Sequence, residues 1–449
     1  MNATQPTRHI VIIGNGISGI TTARHVRKMS KHKITVISGE TDHFFSRTAL
    51  MYIFMGHMQY GHTKPYEDWF WAKNDIALKR AWVKHIDFAS KTLHFEQGEA
   101  MPYDQLVLAL GSKSNKFGWP GQDLQAVQGL YSYQDLEGME KYAATTQRAV
   151  VVGGGLIGVE MAEMWLTRGV PVTFLVREDR FWGNVLPREE GELVARHLKE
   201  HHVDLRFETE LKEILPDAQG RARAIITAKG EEIPCQFVGL TAGVSPNVDF
   251  LKNTALEIQR GIMVNEYLET NIPEVYALGD CVQRQVPAPG RRPIEQVWYT
   301  GRMMGEVLAK TLCGQKTVYQ PGPWFNSAKF FDIEYQTYGQ VANELPPDEN
   351  TFYWEAVNGR ICLRLNYERA SGKVRGLNVF GMRHRHEVWD AWLKEEKTVD
   401  EVMTLLPQAN FDPEFFRPYE SEILAQYNRE TGKQLRLKAR KGLWQKLFV

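Results

Sequence analysis

Short apolar runs that end abruptly in glycine organise this chain. Ile10–Ile13 runs into Gly14, and Ala149–Val152 runs into Gly153. Runs of this length, bounded by turn residues, read as buried parallel strands. Each predicts a helix behind the glycines and then another strand: Ile34–Ile37 after the first, Val172–Leu175 after the second. Farther along, EYQTYGQV and ICLRLNYE alternate apolar with polar positions, which predicts an antiparallel sheet with polar turns over 319–382. Short strands are expected near Trp82–Asp87 and Thr92–Phe95, and helices over 383–449. No apolar run reaches the roughly 18 residues that a membrane-spanning helix needs.

The glycines carry the chemistry. Gly14, Gly16 and Gly19 stand in G-x-G-x-x-G order, and Gly153, Gly155 and Gly158 repeat it around Leu156 and Ile157. The first glycine permits a tight turn, the second lets backbone approach a pyrophosphate, and the third lets helix and strand pack closely. The helix N-terminus then offers unpaired N–H groups and a positive dipole end to phosphate. Glu40 lies just past Ile34–Ile37, and Glu178 holds the matching place in the second copy. A carboxylate there can accept hydrogen bonds from ribose hydroxyls. The fold class is α/β with two Rossmann-like dinucleotide-binding domains. Two such units predict a bound redox cofactor and a diffusing one, with electrons passing between them.

Composition narrows the alternatives. The 449 residues suggest two or three domains, and the zero net formal charge gives no reason to expect a nucleic-acid partner. Cys235, Cys281, Cys313 and Cys362 are scattered without a CxxC pair, which argues against a disulfide framework, a zinc site of conventional spacing or a local redox dithiol. His384 and His386 are spaced i, i+2 and so do not share a helical face; surface roles are expected for them, and no metal site is assigned. Ile10–Ile13 is too short for a signal-peptide core, so a cytoplasmic location is expected.

Taken in order, these motifs resemble the FAD-dependent pyridine nucleotide oxidoreductases, flavoproteins with two dinucleotide-binding domains. The resemblance covers about residues 8–318. It rests on the first fingerprint with Glu40, FSRTAL with Arg47, YDQLVLALGS, the second fingerprint with Glu160, LTAGVSPNVDFL, and TNIPEVYALGDC with Asp280. Leu110 departs from the usual threonine. The resemblance implies an FAD site of Gly14, Asn15, Gly16, Ser18, Gly19, Glu40, Arg47, Val83, Ala109, Gly111, Gly279, Asp280 and Gln296. It implies an NAD(P) site of Gly153, Gly155, Leu156, Ile157, Gly158, Glu160, Arg177, Glu178 and Gly243, and catalytic roles for Glu160 and Glu295. The domain plan that follows is FAD-binding over 1–116 and 245–318, NAD(P)-binding over 117–244, an α+β interface domain over 319–382 that often supports homodimers in relatives, and a helical extension over 383–449. Ile294–Gly314 resembles the family helix that ends near the flavin, with Trp298 and Tyr299 either shielding the ring or packing in the core.

The same family divides by electron acceptor. The paired or single cysteine that disulfide reductases, coenzyme A disulfide reductases and NADH peroxidases use is missing around SRTALMYIFMG. Cys281 reads as a packing residue. The expected activity is therefore hydride transfer from NAD(P)H to FAD, then electron transfer to an iron–sulfur protein, a quinone or a small molecule without a thiol intermediate. EQVWYTG resembles ferredoxin- and rubredoxin-type reductases more than NADH:quinone oxidoreductases. Arg177 and Arg180 suit the 2′-phosphate of NADPH, while Glu178 suits the free ribose of NADH. The balance leans slightly to NADPH and leaves NADH open. Lys433, Arg436, Lys438, Arg440, Lys441 and Lys446 interleave with Leu435, Leu437, Leu443, Trp444, Leu447 and Phe448, and Gly442 interrupts the pattern. Such a tail can meet an anionic inner membrane face, an acidic partner or its own domain. Two further readings stay open: a peripheral membrane NADH:quinone oxidoreductase, and a flavoprotein whose bound nucleotide controls assembly.

Overall fold

A computed structural model describes residues 6–411 and 417–438. The chain forms two compact units. One contains the residues up to 153 together with 161–175 and 210–321; the other contains 154–160, 176–209 and the residues from 322 onward.

In the first unit the two expected parallel sheets are present. One has the order Val275–Ala277, Gln105–Leu108, His9–Ile13, Lys33–Ser38, Ile76–Arg80, and every pair is parallel. Ile10, Val11 and Ile12 are fully buried because both sheet faces are covered, as their unbroken apolar run requires. The helix Ile17–Met29 buries Ile20, Ala23 and Val26. The helix Trp298–Leu312 lies close against it: a side chain on Gly305 would come within 2.8 Å of the Ser18 carbonyl oxygen. The other parallel sheet of this unit runs Val172–Leu175, Ala149–Val152, Phe237–Leu240, Val127–Gln128. Two small antiparallel sheets accompany them, one of Val83–Asp87, Thr92–Phe95 and Met101–Pro102, the other of Leu211–Pro216, Ala222–Thr227 and Glu232–Pro234.

The second unit is built on a five-stranded antiparallel sheet: Phe325–Phe330, Ile333–Gly339, Val374–Phe380, Cys362–Glu368, Glu349–Glu355. Leu363, Leu365, Leu377 and Val379 join Trp389, Val402, Met403 and Tyr427 from the helices His386–Lys394, Val399–Leu405 and Glu420–Thr431 in one core. Arg364 and Asn366 of ICLRLNYE do not meet water. Arg364 is buried, donating to Glu190 Oε1 at 2.7 Å, Glu189 Oε2 at 2.6 Å and Thr351 Oγ1 at 3.1 Å. Period-2 alternation sets these residues opposite Leu363 and Leu365, where the helix Arg188–Glu200 supplies the countercharges.

Two expectations are corrected here. His384 is not a surface residue: it is buried, and its Nδ1 accepts from Trp389 Nε1 at 3.1 Å. Only His386 is exposed. The described part of the basic tail is not helical. Gly432, at φ 70°, ends the helix Glu420–Thr431, and residues 433–438 fold back. There Lys433 pairs with Asp400 at 2.6 Å, and Leu435 and Leu437 pack on the unit's core. Arg440, Lys441, Gly442, Leu443, Trp444, Lys446, Leu447 and Phe448 lie outside the described residues. No described helix is long and apolar enough to cross a membrane.

Burial lowers the pKa of His384 from 6.5 to about 4. The unfolded chain takes up this proton near 6.5, whereas the folded one resists until about 4. The contribution is thus fully present above 6.5 and is lost as pH falls through that window, by up to about 3 kcal/mol. In urea unfolding followed by tryptophan fluorescence, the stability gap between wild type and His384→Gln should narrow on acidification from pH 7 to 4.5. A gap independent of pH would refute the assignment.

Candidate functional site

The first fingerprint has a separate steric reason for each glycine. Gly14 adopts φ 112°, and a Cβ on it would lie 2.0 Å from the Ala109 carbonyl oxygen. A Cβ on Gly19 would lie 2.1 Å from the Gly14 oxygen. Gly16 instead faces open space, with nothing within 4 Å of a Cβ. It caps the helix Ile17–Met29 without a side-chain hydrogen bond, so that helix presents bare amides where backbone is most approachable. Asn15 is buried and braces the turn, donating to the Thr41 carbonyl at 2.9 Å. Ser18 sits under the glycines of two later segments: a Cβ on Gly279 or on Gly301 would come within 2.4 Å of its Oγ.

Glu40 is not left free. Arg47 grips it fork to fork, Nη1 to Oε1 at 2.7 Å and Nη2 to Oε2 at 2.6 Å, and the Tyr133 amide donates to Oε1 at 2.8 Å. Arg47 also donates to the Tyr131 carbonyl at 2.6 Å. Burial would lower the Arg47 pKa, but the Glu40 hydrogen bonds and charge outweigh it and raise it. The Tyr131 hydroxyl donates to Asp280 Oδ2 at 3.1 Å. Ser112 Oγ lies 3.3 Å from the same oxygen and accepts from Gln296 Nε2 at 2.6 Å. Burial lifts the Asp280 carboxyl above its ordinary range, while the Tyr131 and Ser112 hydrogen bonds and the Arg47 charge pull it down. Gly111, at φ 69°, leaves room for the Tyr131 hydroxyl, 2.9 Å from where a Cβ would be. One polar network thus joins Glu40, Arg47, Ser112, Tyr131, Asp280 and Gln296. Val83 is outside it, in its short strand; its neighbour Trp82 lies against Gly39, within 2.1 Å of where a Cβ would stand.

Ser112, Tyr131 and Tyr133 were not expected. The signal for the last two is the capping box of Ser132 and Asp135, which fixes the loop at the start of the helix Tyr133–Ala143. Glu295 lies in the segment just before the helix Trp298–Leu312. The helix begins only at Trp298, and Glu295 is buried with Arg291 at 2.6 Å and Arg284 at 3.2 Å. A carboxylate held by two guanidiniums braces the segment before the helix. Trp298 and Tyr299 are half-buried and meet edge to face.

The second fingerprint repeats the first where it can be compared. Gly153 adopts φ 116°, its amide donates to Leu175 at 3.0 Å, and a Cβ on it would lie 2.6 Å from the Ala242 amide. The corresponding bond in the first copy runs from Gly14 to Ile37 at 2.8 Å. Gly243, at φ 88°, accepts from the Asn115 amide at 3.1 Å. In the second unit, a Cβ on Gly155 would have only Trp182 Nε1 nearby, at 3.7 Å. Trp182 is itself held at φ 48°, unusual for a bulky residue, and was missed by the sequence patterns. Leu156, Ile157, Gly158 and Glu160 lie on the helix Leu156–Thr167, with Gly158 buried and Glu160 half-buried. Arg177 is 72% exposed and pairs with Glu178 at 3.1 Å.

The model of the family described as "Pyridine nucleotide-disulphide oxidoreductase" matches residues 8–305. The chain belongs to that family. It is an FAD-dependent oxidoreductase that uses a pyridine nucleotide. Among relatives, it is 29% identical over 318 residues to the rubredoxin-NAD(+) reductase of Acinetobacter baylyi, covering 69% of this chain and 79% of that one. It is 27% identical over 315 residues to the nitrite reductase [NAD(P)H] of Bacillus subtilis; the match takes in 69% of this chain but spans only 38% of that longer protein. The structure of an NAD-dependent persulfide reductase from A. fulgidus superposes with a TM-score of 0.82 at 24% identity, over 94% of this chain and 84% of that one, and shares the fold.

The donor set suits FAD: an open glycine before bare helix amides for a pyrophosphate, a carboxylate for ribose hydroxyls and a half-buried aspartate for a polyol. Glu40→Ala should weaken FAD binding by about 1.5–3 kcal/mol, since it removes a charged acceptor and leaves Arg47 unpaired. Fluorescence titration of the apoprotein with FAD measures this. Unchanged affinity would exclude Glu40 from the site.

Proposed function

We propose that this protein is an NAD(P)H-dependent reductase that passes electrons directly from its flavin to a small iron–sulfur protein. The observation that carries this reading is a complete FAD cradle with no reactive thiol beside it. Cys281, next to Asp280, is fully buried, and burial pushes its pKa to about 12. Burial does the same to Cys235 and raises Cys313 and Cys362 as well. A thiol kept protonated in this way is neither a nucleophile nor an electron carrier. These protonated thiols favour the acceptor class named for the rubredoxin reductase over the persulfide chemistry named for the A. fulgidus protein.

In this reading bound FAD would supply a hydride acceptor that can also give up electrons one at a time. The chain's own task is positioning. Gly14 and Gly16 bring the Ile17–Met29 amides to the pyrophosphate, Glu40 takes the ribose hydroxyls, and Asp280 takes a ribityl hydroxyl. Tyr131, Ser112 and Gln296 orient the Asp280 carboxylate, and Arg47 orients Glu40. Gly153, Gly155 and the amides behind them receive the nicotinamide nucleotide, with Glu178 or Arg177 at its adenosine ribose. Among the described tail residues, Lys433, Leu435 and Leu437 dock on their own unit.

Anaerobic reduction by each nucleotide, then reoxidation by rubredoxin, ferredoxin or a soluble quinone, tests the proposal. Rapid turnover with an iron–sulfur acceptor is expected, and it should persist when all four cysteines are replaced by alanine or serine. Loss of turnover in a folded, FAD-loaded cysteine-free protein would establish a thiol carrier instead.

Arg177→Ala separates the two nucleotides. A 2′-phosphate contact is open only to NADPH, so the variant's KM for NADPH should rise roughly ten- to a hundredfold more than that for NADH. FAD content should not change. An equal response to both nucleotides would make Arg177 a surface charge and leave the ribose to Glu178.

A further inference from the structure

A second cluster of chemistry-bearing side chains lies wholly within the second unit and has no part in either nucleotide site. His197 and His201 occupy one face at the C-terminal end of the helix Arg188–Glu200, spaced i, i+4. Asp332 reaches them from the two-residue turn between Phe325–Phe330 and Ile333–Gly339. One ligand atom from each of the three residues falls within 4.8 Å of the others. Asp332 Oδ1 is 2.5 Å from His197 Nε2 and 3.4 Å from His201 Nε2.

We propose that His197, His201 and Asp332 bind a divalent first-row transition metal of the zinc type, with solvent as the fourth ligand. Two imidazoles and one carboxylate, with no thiolate, form a donor set that suits zinc. Ligands about 2.0–2.2 Å from a tetrahedral ion stand about 3.4 Å apart. The His201 to Asp332 separation already has this value. The His197 to Asp332 contact is a hydrogen bond, and the exposed Asp332 carboxylate opens it by a small shift.

Three surrounding features support a site over a chance cluster. The His197 ring is buried, and its Nδ1 has no hydrogen-bond partner; the nearest carboxylate is Glu200, at 3.7 Å. A metal on Nε2 fixes the proton on Nδ1, and a carboxylate beyond it is the usual outer support of a metal-binding histidine. Arg360 donates to Glu200 at 2.9 Å and lies 3.9 Å from Asp332 Oδ2, so it steadies both acids and leaves Oδ1 turned to the histidines. Phe331 is held at φ 57°, where a bulky residue is strained, and its ring stacks on His201 at 4.5 Å. The turn thus maintains an unfavourable backbone that presents Asp332 and orients His201. With neutral imidazoles, the two acids and Arg360 leave one negative charge for a dication. The bound metal would clip the helix Arg188–Glu200 to the sheet turn.

Zinc titration of the full-length, FAD-loaded, chelator-stripped protein by calorimetry tests this. One equivalent per chain should bind, and zinc should raise the melting temperature. His201→Ala and Asp332→Asn alter exposed side chains, and each should weaken binding at least tenfold and abolish the thermal shift while keeping the circular dichroism spectrum. Absence of saturable binding near one equivalent, or binding that both variants leave unchanged, would overturn the proposal.

Discussion

The guanidinium of Arg47 is the tie on which the first nucleotide site depends. It holds both oxygens of Glu40 and the carbonyl of Tyr131 at 2.6–2.7 Å. Glu40 lies seven residues before Arg47, whereas Tyr131 lies 84 positions after it. Glu40 follows a strand, Arg47 opens a short 3-10 turn and Tyr131 precedes a helix. Charge-assisted bonds of this kind contribute roughly 1.5–3 kcal/mol each, enough to fix loops that regular hydrogen bonding leaves loose. Through the Tyr131 hydroxyl the order passes to Asp280, and through Ser112 to Gln296. Tyr131 is the hinge of the network: its carbonyl serves the Glu40 side and its hydroxyl the Asp280 side.

A second buried ionic cluster does different work. Arg284 and Arg291 close on Glu295 just before the helix Trp298–Leu312. A buried carboxylate is costly unless fully paired, and here two guanidiniums and the nearby Thr300 hydroxyl pair it. The cluster therefore fixes the entry to the helix, and Gly301 and Gly305 then let that helix lie directly on Ile17–Met29. Glu295 is thus part of the frame, and its neighbour Gln296 is part of the Asp280 network.

What was legible in the sequence follows from the range of the interactions involved. Both parallel sheets could be read because a strand buried on two faces must be apolar throughout, and because the glycine turns have local steric causes. The short strands at Val83–Asp87 and Thr92–Phe95 were expected from the family resemblance. The Glu40–Arg47 fork was harder to see, since proximity to a cofactor explains each residue without the other. The Tyr131–Asp280 bond spans 149 positions and leaves no periodic trace. Arg364 shows a related limit: alternation gives the face a residue is on but not whether that face is covered. His384 sits between arginines in GMRHRHEVWD, yet it is buried because Trp389, one helical turn on, needs an acceptor. The tail's apolar residues were visible, but their partners lie on helices that only the folded unit brings together.

The two fingerprints share their turn and diverge at the acid beyond the second strand. In the first copy Glu40 is fixed by a bidentate, largely buried arginine and a backbone amide, all within 2.8 Å. In the second, Glu178 has only its chain neighbour Arg177, at 3.1 Å and mostly in water. A rigid acceptor lowers the ordering cost of binding and slows release, which suits a cofactor that stays. A solvated, adjustable pair gives weaker retention, which suits a nucleotide that must leave after each turnover. The same turn therefore leads to a rigidly held carboxylate in one copy and a solvated one in the other.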